Sequence, residues 1–163
     1  QFKYIRKKTI ILNGWSKNFG MTGWRIGWSY WPNTLINGVE LLCLNSNTCP
    51  NYISQKIIEK IILKKRFIQE HKKQLLFNRN YLFKKYKNIL NKKPDGAIYL
   101  FLKIPKKFKS DLKFCNFFLE KYNIAVIPGS SFGENGKRFV RVNFSRNLFF
   151  VEKFLKYFRK NNA

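Results

Sequence analysis

Asn13-Gly14-Trp15-Ser16-Lys17-Asn18-Phe19-Gly20-Met21-Thr22-Gly23-Trp24-Arg25-Ile26-Gly27-Trp28 is the stretch on which the reading of this chain turns. Before it, Thr9-Ile10-Ile11-Leu12 has the length and branched content of a buried strand, and the Asn13-Gly14 turn signal ends that strand. Lys17 is therefore expected in the loop just past a strand's carboxyl end, where open α/β sheets gather their ligands. Gly20 and Gly23 bracket a tight connection, and Ile26 to Tyr30 reads as a second strand stopped by Trp31-Pro32.

Beyond this stretch, Thr34 to Leu44 has helical spacing at Leu35, Ile36, Val39, Leu42 and Cys43. A loop from Asn45 to Pro50 follows, then a helix from Asn51 with an apolar stripe at Ile53, Ile57, Ile58, Ile61 and Ile62. A second stripe at Leu75, Leu82, Phe83, Tyr86 and Leu90 continues the helical pattern past the polar stretch Gln69 to Gln74, where a domain boundary is expected. Pro94-Asp95-Gly96 is a turn in which glycine supplies positive φ, and Ala97 to Ile104 a strand. Ser110 is placed to cap a helix through Tyr122 with Leu112, Cys115, Phe118 and Leu119 inward. Ile124 to Ile127 reads as a short buried strand, Phe139 to Phe144 as another, and Leu148 to Lys160 as an amphipathic helix. The second half is thus a small α+β unit without an internal repeat.

The 163 residues suffice for one core, or for one domain plus part of another. Thirty-three Lys and Arg against eight Asp and Glu leave a formal charge of +25, which by itself would suggest a polyanion as partner. The excess is mostly Lys, accompanied by abundant Asn, Ile and Phe and by alanine only at Ala97, Ala125 and Ala163. All four enriched residues have AT-rich codons, so base composition is read as its main source and nucleic acid is not the expected partner. Cys43, Cys49 and Cys115 have no C-x-x-C spacing and no neighbouring His, which argues against a metal site and a disulfide framework and for a reducing, cytoplasmic setting. No run of about 18 apolar residues suggests a membrane span. The lone His71 is flanked by lysines and reads as a solvated helix residue. Scattered acids exclude a carboxylate pair near Lys17, and no Walker A loop is spelled.

What remains is chemistry by cations. A partly desolvated lysine amine forms a Schiff base with an aldehyde. An arginine held by a tight turn grips a phosphate through charge-assisted hydrogen bonds of roughly 1.5–3 kcal/mol each. Aldehyde and phosphate together describe pyridoxal phosphate, and on these residues alone an ordinary basic loop stands as the alternative.

The order of residues carries this further. Ser16-Lys17 followed by Met21-Thr22-Gly23-Trp24-Arg25-Ile26-Gly27 closely resembles the cofactor-lysine segment of class I/II aminotransferases of fold type I, particularly the bacterial aspartate aminotransferase branch. Cys49-Pro50-Asn51-Tyr52-Ile53-Ser54-Gln55 resembles the family's Pro-x-x-x-x-Gln helix start. Pro94-Asp95-Gly96-Ala97-Ile98-Tyr99 resembles its Pro-x-Gly-Ala-Phe-Tyr strand, with Ile98 for Phe. Val126 to Gly133 and Phe139-Val140-Arg141-Val142-Asn143-Phe144 match the remaining blocks in order.

The resemblance implies an α/β chain forming the C-terminal part of a fold type I pyridoxal-phosphate transferase. Residues 1–72 would hold the end of the large-domain sheet and the start of the long connecting helix, and residues 73–163 the small α+β domain. It implies that Lys17 holds the cofactor and shuttles the proton at the substrate α-carbon, that Ser16 and Arg25 also bind the cofactor, Arg25 through its phosphate, and that Arg141 pairs with the substrate α-carboxylate. Strand alternation supports the last point independently, because Val140, Val142 and Phe144 share one face and Arg141 lies on the other. Amino-acid and 2-oxo-acid substrates and a homodimeric complete enzyme follow from the same resemblance.

Two departures stand beside the matches. Gly14 occupies the place where some relatives carry a phosphate-contacting serine, and Asn47 to Tyr52 lacks the arginine by which others recognise a dicarboxylate. Family members are more than twice as long, so their N-terminal phosphate loop, ring-stacking aromatic residue and pyridine-binding aspartate would fall upstream of Gln1. This chain alone is therefore expected to be inactive. The alternatives are a related pyridoxal-phosphate lyase of the same fold and a non-catalytic basic module that binds polyanions through its lysines.

Overall fold

The computed structural model describes residues 7–90, 92–145 and 147–162, which fall into two compact units, Gln1–Lys73 and Gln74–Ala163. In the first, β1 (Ile11–Gly14) leads into a single helical turn, α1 (Trp15–Asn18), then a 3-10 turn (Thr22–Trp24) and β2 (Gly27–Tyr30). β1 and β2 pair antiparallel with Gly14 opposite Gly27. A Cβ at Gly27 would stand 2.9 Å from the Asn13 carbonyl oxygen, so glycine is what lets the strands approach there. The ladder thus runs through the Asn13-Gly14 pair instead of ending before it, a shift of two residues from the expected Thr9 to Leu12. Nor is the strand buried: Ile10, Ile11 and Leu12 are exposed, because branched residues favour the extended chain but a two-stranded ribbon offers them no second layer.

α2 (Asn33–Ser46), α3 (Tyr52–Ile61) and the start of α4 (Lys65–Lys85) complete this unit. Its core is small: Phe19, Met21 and Ile58 are buried, with Trp15, Ile26, Ile57, Ile61 and Ile68 packed against them. On α2 only Ile36 and Val39 of the expected stripe are partly buried, and Leu35, Leu42 and Cys43 are exposed. α3 turns Ser54 and Ile58 inward and leaves Ile53 and Ile62 exposed. Ser54 fixes that rotation at the helix start, where its amide donates to the Asn51 side chain (2.9 Å) and its hydroxyl to the Trp24 carbonyl (3.4 Å).

The second unit is a three-stranded antiparallel sheet, β3 (Tyr99–Lys103), β5 (Phe139–Asn143) and β4 (Ile127–Pro128), in the order β3-β5-β4. The rest of α4, together with α5 (Asp111–Tyr122) and α6 (Leu148–Asn162), supplies its helices. Leu82, Leu100, Phe114, Phe118, Val140, Phe144, Phe154 and Phe158 are among the buried side chains that make one continuous core. Ser110 caps α5 by accepting from the Lys113 amide at 3.2 Å. The inward face of α5 is Asp111, Phe114, Cys115 and Phe118, while Leu112 and Leu119 are exposed. Asp111 causes the rotation, because its carboxylate is held inward by the Ser130 amide at 2.7 Å.

The expected Ile124 to Ile127 strand shrinks to Ile127–Pro128 with Ile127 exposed, because proline has no amide to continue a ladder and the strand lies at a sheet edge. In the Pro94-Asp95-Gly96 turn before β3 the positive φ falls on Ala97 (61°), not on Gly96. Gly129 and Gly136 meet backbone to backbone, and a Cβ on Gly129 would collide with the Gly136 carbonyl and the Phe139 carbonyl. Gly129→Ala is therefore expected to destabilise the second unit by about 2 kcal/mol or more, seen as a lowered unfolding midpoint, whereas Gly133→Ala, which meets no neighbour, should show only backbone strain.

Candidate active site

The loop between β1 and β2 is closed at its base. Beyond the Gly14 and Gly27 pair, the Trp15 amide donates to the Ile26 carbonyl at 3.4 Å. Phe19 and Met21 are the buried residues of that loop, and Trp15 meets Phe19 edge to face with centroids 4.7 Å apart. The loop is thereby anchored through its apolar residues. Its cations are left out of that packing, since Lys17 at the middle of α1 and Arg25 after the 3-10 turn are both exposed. Ser16 is half-buried beside Lys17.

Arg25 adopts a left-handed backbone (φ 51°, ψ 48°), unusual for a residue with a side chain and a local strain of about 1 kcal/mol. Its Nη1 donates to the Thr22 carbonyl at 3.2 Å, which curls the guanidinium over its own turn. Neither Lys17 nor Arg25 forms an ion pair with a described acid. The loop therefore offers a primary amine, a guanidinium with one N–H engaged, and a hydroxyl on one short segment. The amine is not desolvated as expected, because none of the described elements covers it. His71 departs from expectation too. It is half-buried, and a methyl on Gly20 would stand 3.4 Å from its Cε1, so it packs against the lysine loop where it was expected in solvent.

Arg141 belongs to the second unit. Val140, Val142 and Phe144 are buried, and Arg141 on the opposite face is half-buried between its register partners Phe101 on β3 and Ile127 on β4. Its Cζ lies 4.3 Å from the Tyr99 ring centroid and 4.6 Å from that of Phe132. These two rings were not legible from strand alternation alone, although Tyr99 shares the face of Phe101 two residues away. Tyr99, Arg141 and Asn143 line a cavity of about 420 Å³.

Residues 3–155 match the sequence model of the family described as aminotransferase class I and II. The chain belongs to that family. It is 34% identical over 151 residues to an aspartate aminotransferase of Pyrococcus horikoshii, an alignment that covers 88% of this chain and 38% of the relative. It is 30% identical over 154 residues to a probable N-acetyl-LL-diaminopimelate aminotransferase of Bacillus subtilis, with 89% and 38% covered. The crystal structure of an aromatic aminotransferase from Pyrococcus horikoshii superposes with a TM-score of 0.82 at 30% identity, covering 94% of this chain and 43% of that one. This chain thus has the fold of fold type I enzymes and spans about two fifths of the length of the curated relatives it matches. Class I and II aminotransferases generally depend on pyridoxal phosphate, act on amino acids and 2-oxo acids, and are usually oligomeric. Among the described residues no helix is long and apolar enough to cross a membrane, and no group of His, Cys, Asp and Glu is placed to hold a metal ion.

Two acids of this chain hold elements together. Glu152 on α6 accepts from Lys85 (2.6 Å) and Tyr81 (3.0 Å) on α4, and those contacts, Lys85 first, hold its carboxyl below the usual range. Asp111 is buried, which pushes its carboxyl up, but the bonds from Ser130 and from the amides of Asp111 and Leu112 outweigh burial and leave it lowered. Four residues along, burial and the Asp111 charge push the Cys115 thiol up to about 11, so this cysteine is an inert core residue. A lowered carboxyl contributes stability that is fully present above its unfolded value and is lost as pH falls through the folded one. Thermal melts between pH 7 and pH 3 should therefore show a loss beginning near pH 4, and Asp111→Asn, less stable at neutral pH, should lose less over that interval.

Proposed function

We propose that this chain is the C-terminal portion of an aspartate aminotransferase-like enzyme, one that moves an amino group from an amino acid to a 2-oxo acid through pyridoxal phosphate. The observation that carries the reading is the closed loop bearing Ser16, Lys17 and Arg25, in which the apolar residues are spent on packing and the cations have no acidic partner among the described residues. That donor set fits the cofactor, since an amine suits its aldehyde and a turn-held guanidinium its phosphate. When bound, pyridoxal phosphate supplies an electron-withdrawing ring that makes the substrate α-carbon acidic. Lys17 Nζ would hold the cofactor through its aldehyde, and the same amine would take up and return the proton at the substrate α-carbon. Arg25 neutralises the phosphate, and Arg141 orients the substrate through its α-carboxylate.

In the same reading residues 1–72 complete the large domain and begin the connecting helix, residues 73–163 are the small domain, and the complete form is a cytoplasmic homodimer. The chain spans less than half of its relatives' length, so the walls that desolvate Lys17 belong to the rest of the fold.

Reductive trapping tests the first half of this reading. With pyridoxal phosphate and cyanoborohydride, peptide mapping is expected to find Lys17 labelled ahead of exposed lysines such as Lys56 and Lys84. Arg25→Ala should lower labelling at Lys17 by about tenfold and leave the other lysines unchanged. Uniform labelling of all lysines would sink the assignment. In an active complete form, Arg141→Ala should raise the amino-acid KM by about tenfold or more with cofactor binding intact, and unaltered kinetics would rule out the carboxylate role.

A further inference from the structure

Arg141 is anchored in an unusual way for a half-buried arginine. Its side chain makes no hydrogen bond and no ion pair to a described residue. Its contacts are the two rings, Tyr99 from β3 at 4.3 Å and Phe132 from the 3-10 turn Gly129–Phe132 at 4.6 Å. Cation–π attraction of this kind covers a guanidinium without consuming any of its N–H groups.

The rings are themselves held. Phe132 meets Phe101 edge to face at 6.2 Å, and Phe101 stacks on Phe139 at 5.2 Å. The turn that carries Phe132 is pinned by the Ser130 amide on Asp111 and by the contact of Gly129 with Gly136. Tyr99 is fixed by its register opposite Asn143. The neighbouring cavity of about 420 Å³ has room for a small carboxylic acid.

We infer that Tyr99 and Phe132 are positioning residues. They fix the plane of the Arg141 guanidinium so that its free N–H groups face a carboxylate already oriented. Without them the arginine must give up rotamer freedom on every binding event, a cost that the stacked arrangement has met during folding. The inference rests on the carboxylate reading of Arg141, and the two are separable by experiment.

The experiment is a side-chain NMR titration on the full 163-residue chain, with the Arg141 Nε–Hε signal assigned by its loss in Arg141→Lys. Sodium propionate is the probe, and sodium chloride at equal ionic strength the control. In the parent protein the Hε signal should be shielded by the rings and should move on adding propionate. Phe132→Leu should reduce the shielding and weaken propionate binding about threefold or more, and Phe132→Tyr should restore both. Tyr99→Leu should act like Phe132→Leu, and Tyr99→Phe like the parent. Phe132 is half exposed, so its variants keep the test alive if Tyr99→Leu does not fold. Parent-like shielding and affinity in Phe132→Leu would overturn the positioning role. A ring-dependent shielding that persists while propionate moves nothing would instead overturn the carboxylate reading of Arg141.

Discussion

Strand β5 has neighbours on both sides, and therefore only two directions in which to send its side chains. Val140, Val142 and Phe144 enter the core of the second unit. The intervening positions, Arg141 and Asn143, are then compelled to face the other way. A slip of one residue would exchange the two sets and bury a guanidinium without a partner, at a cost no local rearrangement could offset. The placement of Arg141 is thus enforced by the packing of Phe114, Phe118, Phe154 and Phe158 on the far side of the strand, and a residue proposed for binding inherits its precision from residues that touch no ligand.

The first unit divides labour differently. Its loop is short, closed by the Gly14 and Gly27 pair, and held from within by Phe19 and Met21. Such an arrangement stabilises the backbone without drawing on Ser16 or Lys17, and it engages Arg25 only through one bond to the Thr22 carbonyl. The left-handed conformation of Arg25 is the residual cost, and local strain of this kind persists only where the surrounding structure over-determines it.

Several elements were legible from residue order alone. The Ser110 cap, the alternation around Arg141 and the terminal helix each depend on local rules, and each is present in the structure. The faces of α3 and α5 were less legible, because apolar period leaves a choice among neighbouring rotations. Leu112 and Phe114 are both apolar, and what selects Phe114 is the bond from Ser130 to Asp111, nineteen residues along the chain. Ser54 makes the same selection on α3 through Trp24. The positive φ likewise falls on Ala97, next to a glycine that does not use it, where turn propensity alone would place it on Gly96. The site shows a similar limit. Lys17 and Arg25 stand out in one short motif, but the rings beside Arg141 come from a cross-strand neighbour and a distant turn, and both depend on register.

Charge in this chain is informative where it is scarce. With 33 basic side chains, a lysine or arginine on the surface says little about its neighbourhood. Only eight acids are available, so their placement is telling. Glu59, Glu70 and Glu134 pair with a cation three or four residues away, contacts that are exposed and contribute little. Glu152 and Asp111 instead reach across the fold, one joining α6 to α4 and the other joining α5 to the turn that carries Phe132. Removing a lysine from this surface mostly alters net charge. Removing Asp111 would free the Ser130 amide, and because that amide belongs to the turn that carries Phe132, the change is expected to reach Arg141 through the Phe132 ring.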